Sequence, residues 1–179
     1  MALAERRGAP IPDAMVLATA SRDGRPSARF VLLKKATNDG FVFFTDGRSP
    51  KARDLRVNPR AALVFYWESV RRQVRIEGRV MEVSPEEADA YWVTRPRSSR
   101  IAASVSKQSE PGSRALLLAR FREMKARLRG HEIPRPRYWT GFRLRPETIE
   151  FWSYRAHRLH DRERFVRRGS GWRVTRLQP

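Results

Sequence analysis

The hexapeptide HRLHDR, residues 157–162, gathers two of the chain's three histidines with two arginines and an aspartate. Imidazole can donate or accept a hydrogen bond near neutral pH, and guanidinium is a rigid fork for carboxylate or phosphate oxygens. Read as extended chain, the stretch puts His157, Leu159 and Asp161 on one face and Arg158, His160 and Arg162 on the other. The histidines of the HxxH pair then diverge, no third ligand motif accompanies them, and no metal is expected. Two readings stay open at this point: an ordinary solvated strand face, or a wall of Arg, His and Arg turned toward an anion.

Other chemical motifs are weak. The chain contains no GxGxxG after a strand, no Walker A loop and no HExxH. Ser104–Lys107 matches SxxK, but the SDN and KTG motifs that would make it an acyl-transfer site are missing. The chain has no cysteine, which removes disulfides, thiolate nucleophiles and cysteine-held metals.

The elements that would position HRLHDR are mostly strands. AMVLATA (14–20) and SARFVLLKKA (27–36) flank an Asp-Gly turn and read as a hairpin, and FVFFT (41–45), AALVFYWE (61–68) and RRQVRIEGRVMEV (71–83) follow as strands. Val74, Ile76 and Val80 alternate with Arg75, Glu77 and Arg79, the pattern of a half-solvated antiparallel sheet. YWTGFRLRP, TIEFWSY, HRLHDRERFVRR and WRVTRLQ read as four further strands at the C-terminal end. Helices are expected over 49–59, with Ser49 before Pro50, and from Ser84, whose capping box is completed by Glu87. The longest is expected over 113–130, with Leu116, Leu117, Phe121, Met124 and Leu128 on its apolar face. The fold class is therefore mainly β with helices (α+β), a small antiparallel barrel with helical insertions, built as one domain over 1–179.

Composition narrows the partners. Hydrophobic residues make up 40% of the chain and aromatics 10%, which suits a packed core. No window approaches the roughly 18 apolar residues of a membrane span, and no secretory signal opens the chain, so a cytoplasmic protein without a membrane partner is expected. Lys and Arg total 38 against 19 acidic residues, and 33 of the 38 are arginine. They are dispersed and often alternate with apolar residues rather than forming a tail or a lysine-rich block, and bound phosphate esters would explain part of the excess. A non-catalytic, nucleic-acid-binding basic barrel is the alternative from another class; it would be colourless and would bind DNA or RNA with steep salt dependence.

Five stretches in order, RFVLLK (29–34), RRQVRIEGR (71–79), RPRSSRIAASVSKQS (95–109), IEFWSYRAHRLHDR (149–162) and WRVTRLQP (172–179), together resemble the pyridoxamine 5′-phosphate oxidase family. The resemblance implies a six-stranded-type split β-barrel that binds FMN, forms a homodimer, and oxidises pyridoxamine or pyridoxine 5′-phosphate with O2 to pyridoxal 5′-phosphate and hydrogen peroxide. A related flavin oxidase of another ring compound, such as a phenazine precursor, is the nearest alternative. Matched position by position, FMN would be bound by the segment Arg29, Phe30, Val31, Leu32, Leu33 and Lys34, and by Phe44, Thr45, Ser49, Lys51, Gln73, Gln108, Ser109, Trp152 and Arg162. Lys34, Tyr91, Arg95 and Ser99 would take the substrate phosphate, and Arg158 and His160 would contact the pyridine ring as the catalytic pair. Gln108, Ser109, Trp152 and Arg162 would not all come from the subunit that supplies Arg29 and Lys51, with residues 140–179 completing the dimer site. Two departures stand out. Residues 1–13 are a short extension where the family has a longer helical segment closing over the substrate, and Pro50 replaces a basic residue beside Lys51, a loss of about 1.5–3 kcal/mol if that residue touched phosphate.

Overall fold

The computed structural model describes all 179 residues. Five helices and nine strands follow one another as α1 (Ala2–Arg6), β1 (Ala14–Ala20), β2 (Pro26–Leu32), β3 (Lys35–Thr37), β4 (Gly40–Asp46), α2 (Pro50–Val57), β5 (Arg60–Trp67), β6 (Arg72–Glu82), α3 (Pro85–Thr94), α4 (Arg97–Val105), α5 (Arg114–Arg127), β7 (Trp139–Ser153), β8 (Asp161–Arg168) and β9 (Gly171–Arg176). The strands form one sheet in the order β2-β1-β5-β6-β7-β4-β3, with β8 on β7 and β9 on β8. The chain divides into two compact units. The first comprises 1–43, 54–81 and 143–179, and the second 44–53 and 82–142.

In the first unit, local signals make the hairpins. Gly24 takes φ +84, which a side chain would resist, and its N–H donates to Ser21 O, so the turn holds β1 against β2 in a register running from Ala14↔Leu32 to Ala20↔Pro26. Alternation along β1 sends Met15, Leu17 and Thr19 inward, where Leu63, Phe65, Ile76 and Leu144 are also buried. β5 and β6 pair from Arg60↔Arg79 to Trp67↔Arg72, and the tie between them is a 3-10 turn closed by Arg71 in the left-handed region. The strand expected over 27–36 breaks after Leu32, and β3 resumes at Lys35. β7 is one strand where two were expected, running straight through Pro146. Residues 1–13 include the short helix α1, whose Ala4 is buried, and Trp67 Nε1 donates to Pro12 O, anchoring the segment that follows it.

In the second unit, Ser84 accepts from the Glu87 N–H at 3.2 Å and starts α3, and Ser113 accepts from the Leu116 N–H and starts α5. The core is Trp92, Ile101, Ile133 and Trp139, with Phe44, Tyr91, Phe121, Met124 and Leu128 packed around it. The inner face of α5 is thus Phe121 and Met124, continued by Leu128 beyond its end. Leu116 and Leu117, expected on that face, are 50% and 41% exposed.

Gly78 in β6 sits where β6 meets its neighbour β7, and a Cβ there would lie 2.0 Å from Arg145 O. Backbone cannot yield as a side-chain tip can. Gly78→Ala should therefore cost about 1–3 kcal/mol, seen as a lowered urea midpoint at unchanged slope; an unmoved midpoint would show that the strands are not in this contact.

Candidate functional site

In the second unit, the end of β4 and the first turn of α2 carry a polar cluster. Lys51 is only 6% exposed. Its Nζ donates to Thr45 Oγ1 at 3.2 Å and Gln108 Oε1 at 2.9 Å. Thr45 Oγ1 also donates to Gln108 Oε1 at 3.0 Å, so three of the expected FMN residues meet. Ser109 beside them has φ 68, a conformation uncommon for a residue with a side chain. Ser49 is buried, but its hydroxyl donates to Asp46 O at 2.6 Å, which spends it on the turn. Pro50 is the first residue of α2, a position that needs no N–H.

Arg48 pins this loop. Its guanidinium donates to Asp46 Oδ2 at 2.7 Å and Ser106 O at 3.0 Å, and lies 3.3 Å over the Tyr138 ring. Burial of the Asp46 carboxyl opposes its charge, but hydrogen bonds from the Arg48 side chain and backbone, with the Arg48 charge, outweigh that and hold its pKa below the ordinary value.

A second cluster is aromatic. Phe44 stacks on Tyr91 at 4.1 Å and on Trp139 at 5.2 Å. Arg95 lies over Trp139 at 4.7 Å and Trp92 at 5.2 Å, and its Nη1 is buried with no acceptor. Burial depresses its pKa, and the nearby charge of Arg100 adds to that, against an opposing effect of Tyr91. Ser99, half-buried in the first turn of α4, completes the phosphate set expected on this unit.

In the first unit, Trp152 and Arg162 are direct cross-strand partners in the β7–β8 pair. Arg162 Nε and Nη2 both meet Glu150 Oε1 at 2.9 Å, and Nη1 donates to Gln178 O at 3.0 Å. Glu150 is 8% exposed, and Arg75 lies 3.7 Å from its other oxygen. The His160 ring sits 4.6 Å from Trp152 and 5.5 Å from Tyr154. His160 and Arg162 line an open cleft of about 310 Å³, while Gln73 and Trp152 line a larger groove of about 530 Å³ in the same unit. Arg29 is engaged by its own hairpin: it donates to Thr19 Oγ1 at 2.8 Å and Leu17 O at 3.2 Å, and Thr19 in turn donates to Asp54. Lys34 pairs with Asp13 at 2.8 Å. Along the same segment Leu33 is buried, Val31 is half-buried, and Phe30 and Leu32 are exposed.

The extended reading of 157–162 needs correction. Residues 156–158 form a 3-10 turn, His157 and Arg158 both take left-handed φ of 58 and 62, and β8 begins only at Asp161. Arg158 and His160 therefore do not share a strand face with Arg162; they sit on the turn that delivers the chain into β8. Arg155 fastens that turn, its guanidinium on Asp161 at 2.7 Å and its N–H donating to His160 Nδ1 at 3.1 Å.

Residues 6–128 match the family model described as pyridoxamine 5′-phosphate oxidase, and 139–179 match the pyridoxine 5′-phosphate oxidase C-terminal dimerisation region. The chain belongs to the pyridoxamine 5′-phosphate oxidase family. It is 54% identical over 175 residues to the pyridoxine/pyridoxamine 5′-phosphate oxidase of Rubrobacter xylanophilus, covering 97% of this chain and 81% of that one. It is 53% identical over 171 residues to the enzyme of the same name from Bordetella petrii, with 95% and 81% covered. Among solved structures, PhzG from Burkholderia lata 383, in complex with tetrahydrophenazine-1-carboxylic acid, superposes with a TM-score of 0.94 at 35% identity, covering 99% of this chain and 88% of that one. A pyridoxamine 5′-phosphate oxidase-related, FMN binding protein from Nostoc punctiforme shares the fold, with a TM-score of 0.82 at 20% identity over 99% and 95% of the two chains.

The donor sets fit the family's FMN and phosphate substrate. A buried ammonium among hydroxyl and amide oxygens, and a guanidinium with a buried, unaccepted N–H, are the chemistry that phosphate oxygens complete. Sequence reasoning missed the acids that hold the basic residues: Glu150 for Arg162, Asp13 for Lys34 and Asp46 for Arg48. The signal for Glu150 was available, as a lone acid between Ile149 and Phe151, two positions from Trp152 on the same strand face.

Because the folded pKa of Asp46 is lowered, its stabilisation is full above the ordinary carboxylate value and is lost as pH falls through the folded one. Asp46→Asn should thus cost about 1–2 kcal/mol near neutrality, with the gap from wild type closing below about pH 4. Urea titrations from pH 7 down to 2.5 would check this, and a gap independent of pH would contradict it.

Proposed function

We propose that the chain is an FMN-dependent oxidase that converts pyridoxine or pyridoxamine 5′-phosphate to pyridoxal 5′-phosphate, works as a homodimer, and acts in the cytoplasm. The carrying observation is identity of 51–54% to relatives named pyridoxine/pyridoxamine 5′-phosphate oxidase, over 93–97% of this chain. The 35% identity to PhzG is lower, although that superposition is close. With the alcohol substrate, O2 becomes hydrogen peroxide; with the amine, water is also consumed and ammonia leaves.

Bound FMN supplies the two-electron acceptor that O2 then reoxidises. The chain's own residues bind and orient. Lys51, Thr45 and Gln108 supply a preformed polar cradle for the FMN phosphate, rigid because each holds the others. Gln108 reaches Lys51 within one chain, so of the residues expected to be divided between protomers, Trp152 and Arg162 are left for the partner to bring. Glu150 keeps the Arg162 guanidinium fixed on its strand. Arg95, Tyr91 and Ser99 take the substrate phosphate, and Arg158 and His160 the pyridine ring. His160 Nδ1 accepts the Arg155 N–H, so the neutral ring carries its proton on Nε2 and offers it as a donor to substrate. A donor that orients the ring need not be an obligatory proton acceptor.

The separation of Arg158, on the turn, from Arg162, on β8 against Glu150, gives the test. Arg158→Ala should retain flavin and lose most peroxide production with either phosphate substrate. Arg162→Ala should purify with much less flavin, and His160→Asn should keep measurable activity. Flavin absorbance and peroxide release on the three variants decide it; flavin lost from Arg158→Ala and kept by Arg162→Ala would reverse the assignment.

A further inference from the structure

Two arginines near the start of α4 point buried N–H groups at nothing the chain provides. Nη1 of Arg95 and Nε of Arg100 are both shielded from solvent and have no hydrogen-bond acceptor. Buried donors are paired in almost every folded protein, and here the charge of Arg100 also acts against that of Arg95. Arg97, between them in sequence, shows the ordinary alternative: its guanidinium donates to His131 O and Leu128 O and is consumed in closing the end of α5. Arg95 is fixed in plane by the rings of Trp92 and Trp139, which leave its N–H edge unused. The Arg100 carbonyl accepts from Ser104 Oγ at 2.9 Å, which engages its backbone and leaves the side-chain donor open. Ser99 directly precedes Arg100 in the first turn of the helix, half-buried.

We propose that Arg100 is a second guanidinium of the substrate-phosphate subsite, so that Arg95 Nη1 and Arg100 Nε each donate to a phosphate oxygen and together select the dianion. This rests on the reading of Arg95 and Ser99 as phosphate residues and adds to it a specificity residue that HRLHDR and its neighbours do not reveal. A dianion gives both donors an acceptor and cancels both charges. A monoanion leaves one charge unbalanced, and an unphosphorylated pyridine leaves both donors unpaired in a buried place. The subsite therefore discriminates by what a wrong ligand fails to satisfy.

The test uses the FMN-loaded protein and pyridoxal 5′-phosphate as probe, with binding followed by equilibrium dialysis, and with pyridoxal as the unphosphorylated control. Arg100→Gln should weaken pyridoxal 5′-phosphate binding about tenfold to a hundredfold, raise KM for pyridoxamine 5′-phosphate more than it lowers kcat, and leave flavin content and pyridoxal binding unchanged. The loss should be largest above the second phosphate pKa, near about 6, and shrink below it. Arg100→Lys, which keeps the charge and moves the donor, should fall between the two. Unchanged pyridoxal 5′-phosphate binding in Arg100→Gln would overturn the proposal, as would a fall in melting temperature and flavin content that accounts for all of the effect. A wild-type protein that holds FMN and binds neither pyridoxal 5′-phosphate nor pyridoxamine 5′-phosphate would instead sink the oxidase reading.

Discussion

Positive charge taken out of water must be answered by oxygen, and this chain has 38 basic residues against 19 acidic ones. Some of its acids hold partly buried arginines. Glu150 holds Arg162, Asp46 holds Arg48, and Asp54 reaches Arg29 through Thr19. Each pairing immobilises a group that also has donors to spare. Arg95 and Arg100 are the arginines for which no internal oxygen answers a buried N–H on α4 and its approach. On the proposed reading, phosphate esters bound as cofactor and substrate would supply the missing anions, so the ligands would belong to the charge balance of the fold as well as to its chemistry.

The scaffold serves that arrangement by close approach and fixed turns. β6 and its neighbour β7 come so near at Gly78 that no Cβ fits, and β7 carries Glu150 and Trp152 out to β8 with Arg162 directly opposite Trp152. The turn before β8 keeps two successive non-glycine residues, His157 and Arg158, in the left-handed region, and Ser109 beside Gln108 is held likewise. Such conformations persist only where surrounding contacts overdetermine them, and here those contacts are the Arg155 bonds to Asp161 and His160 and the Gln108 bonds to Lys51 and Thr45. Both strained turns carry residues assigned to ligands, which is how a rigid site is set without waiting for the ligand to order it.

What could be read in the sequence was what local rules encode. The cap at Ser84, the Asp-Gly hairpin and the alternation along β6 are decided by neighbours a few residues away, and they form as expected. HRLHDR was read as strand because its alternation suits one, and nothing in a non-glycine pair announces left-handed φ. Leu116 and Leu117 fit a helical stripe equally well on either flank, and only packing against Trp92 and Trp139 selects Phe121 and Met124 instead. Residue types of the site were legible through five ordered motifs, while the contacts of Lys34 with Asp13 and of Thr45 with Gln108 were not, since they join residues 21 and 63 apart.

If phosphate recognition by preformed cations is the basis of the site, it can be read from one comparison. Flavin-stripped protein titrated with FMN and with riboflavin, followed by quenching of flavin fluorescence at two salt concentrations, separates the phosphate from the ring. The account predicts that FMN binds at least about a hundredfold more tightly than riboflavin and that the difference narrows as salt rises. Equal affinities for the two flavins, unaffected by salt, would contradict it.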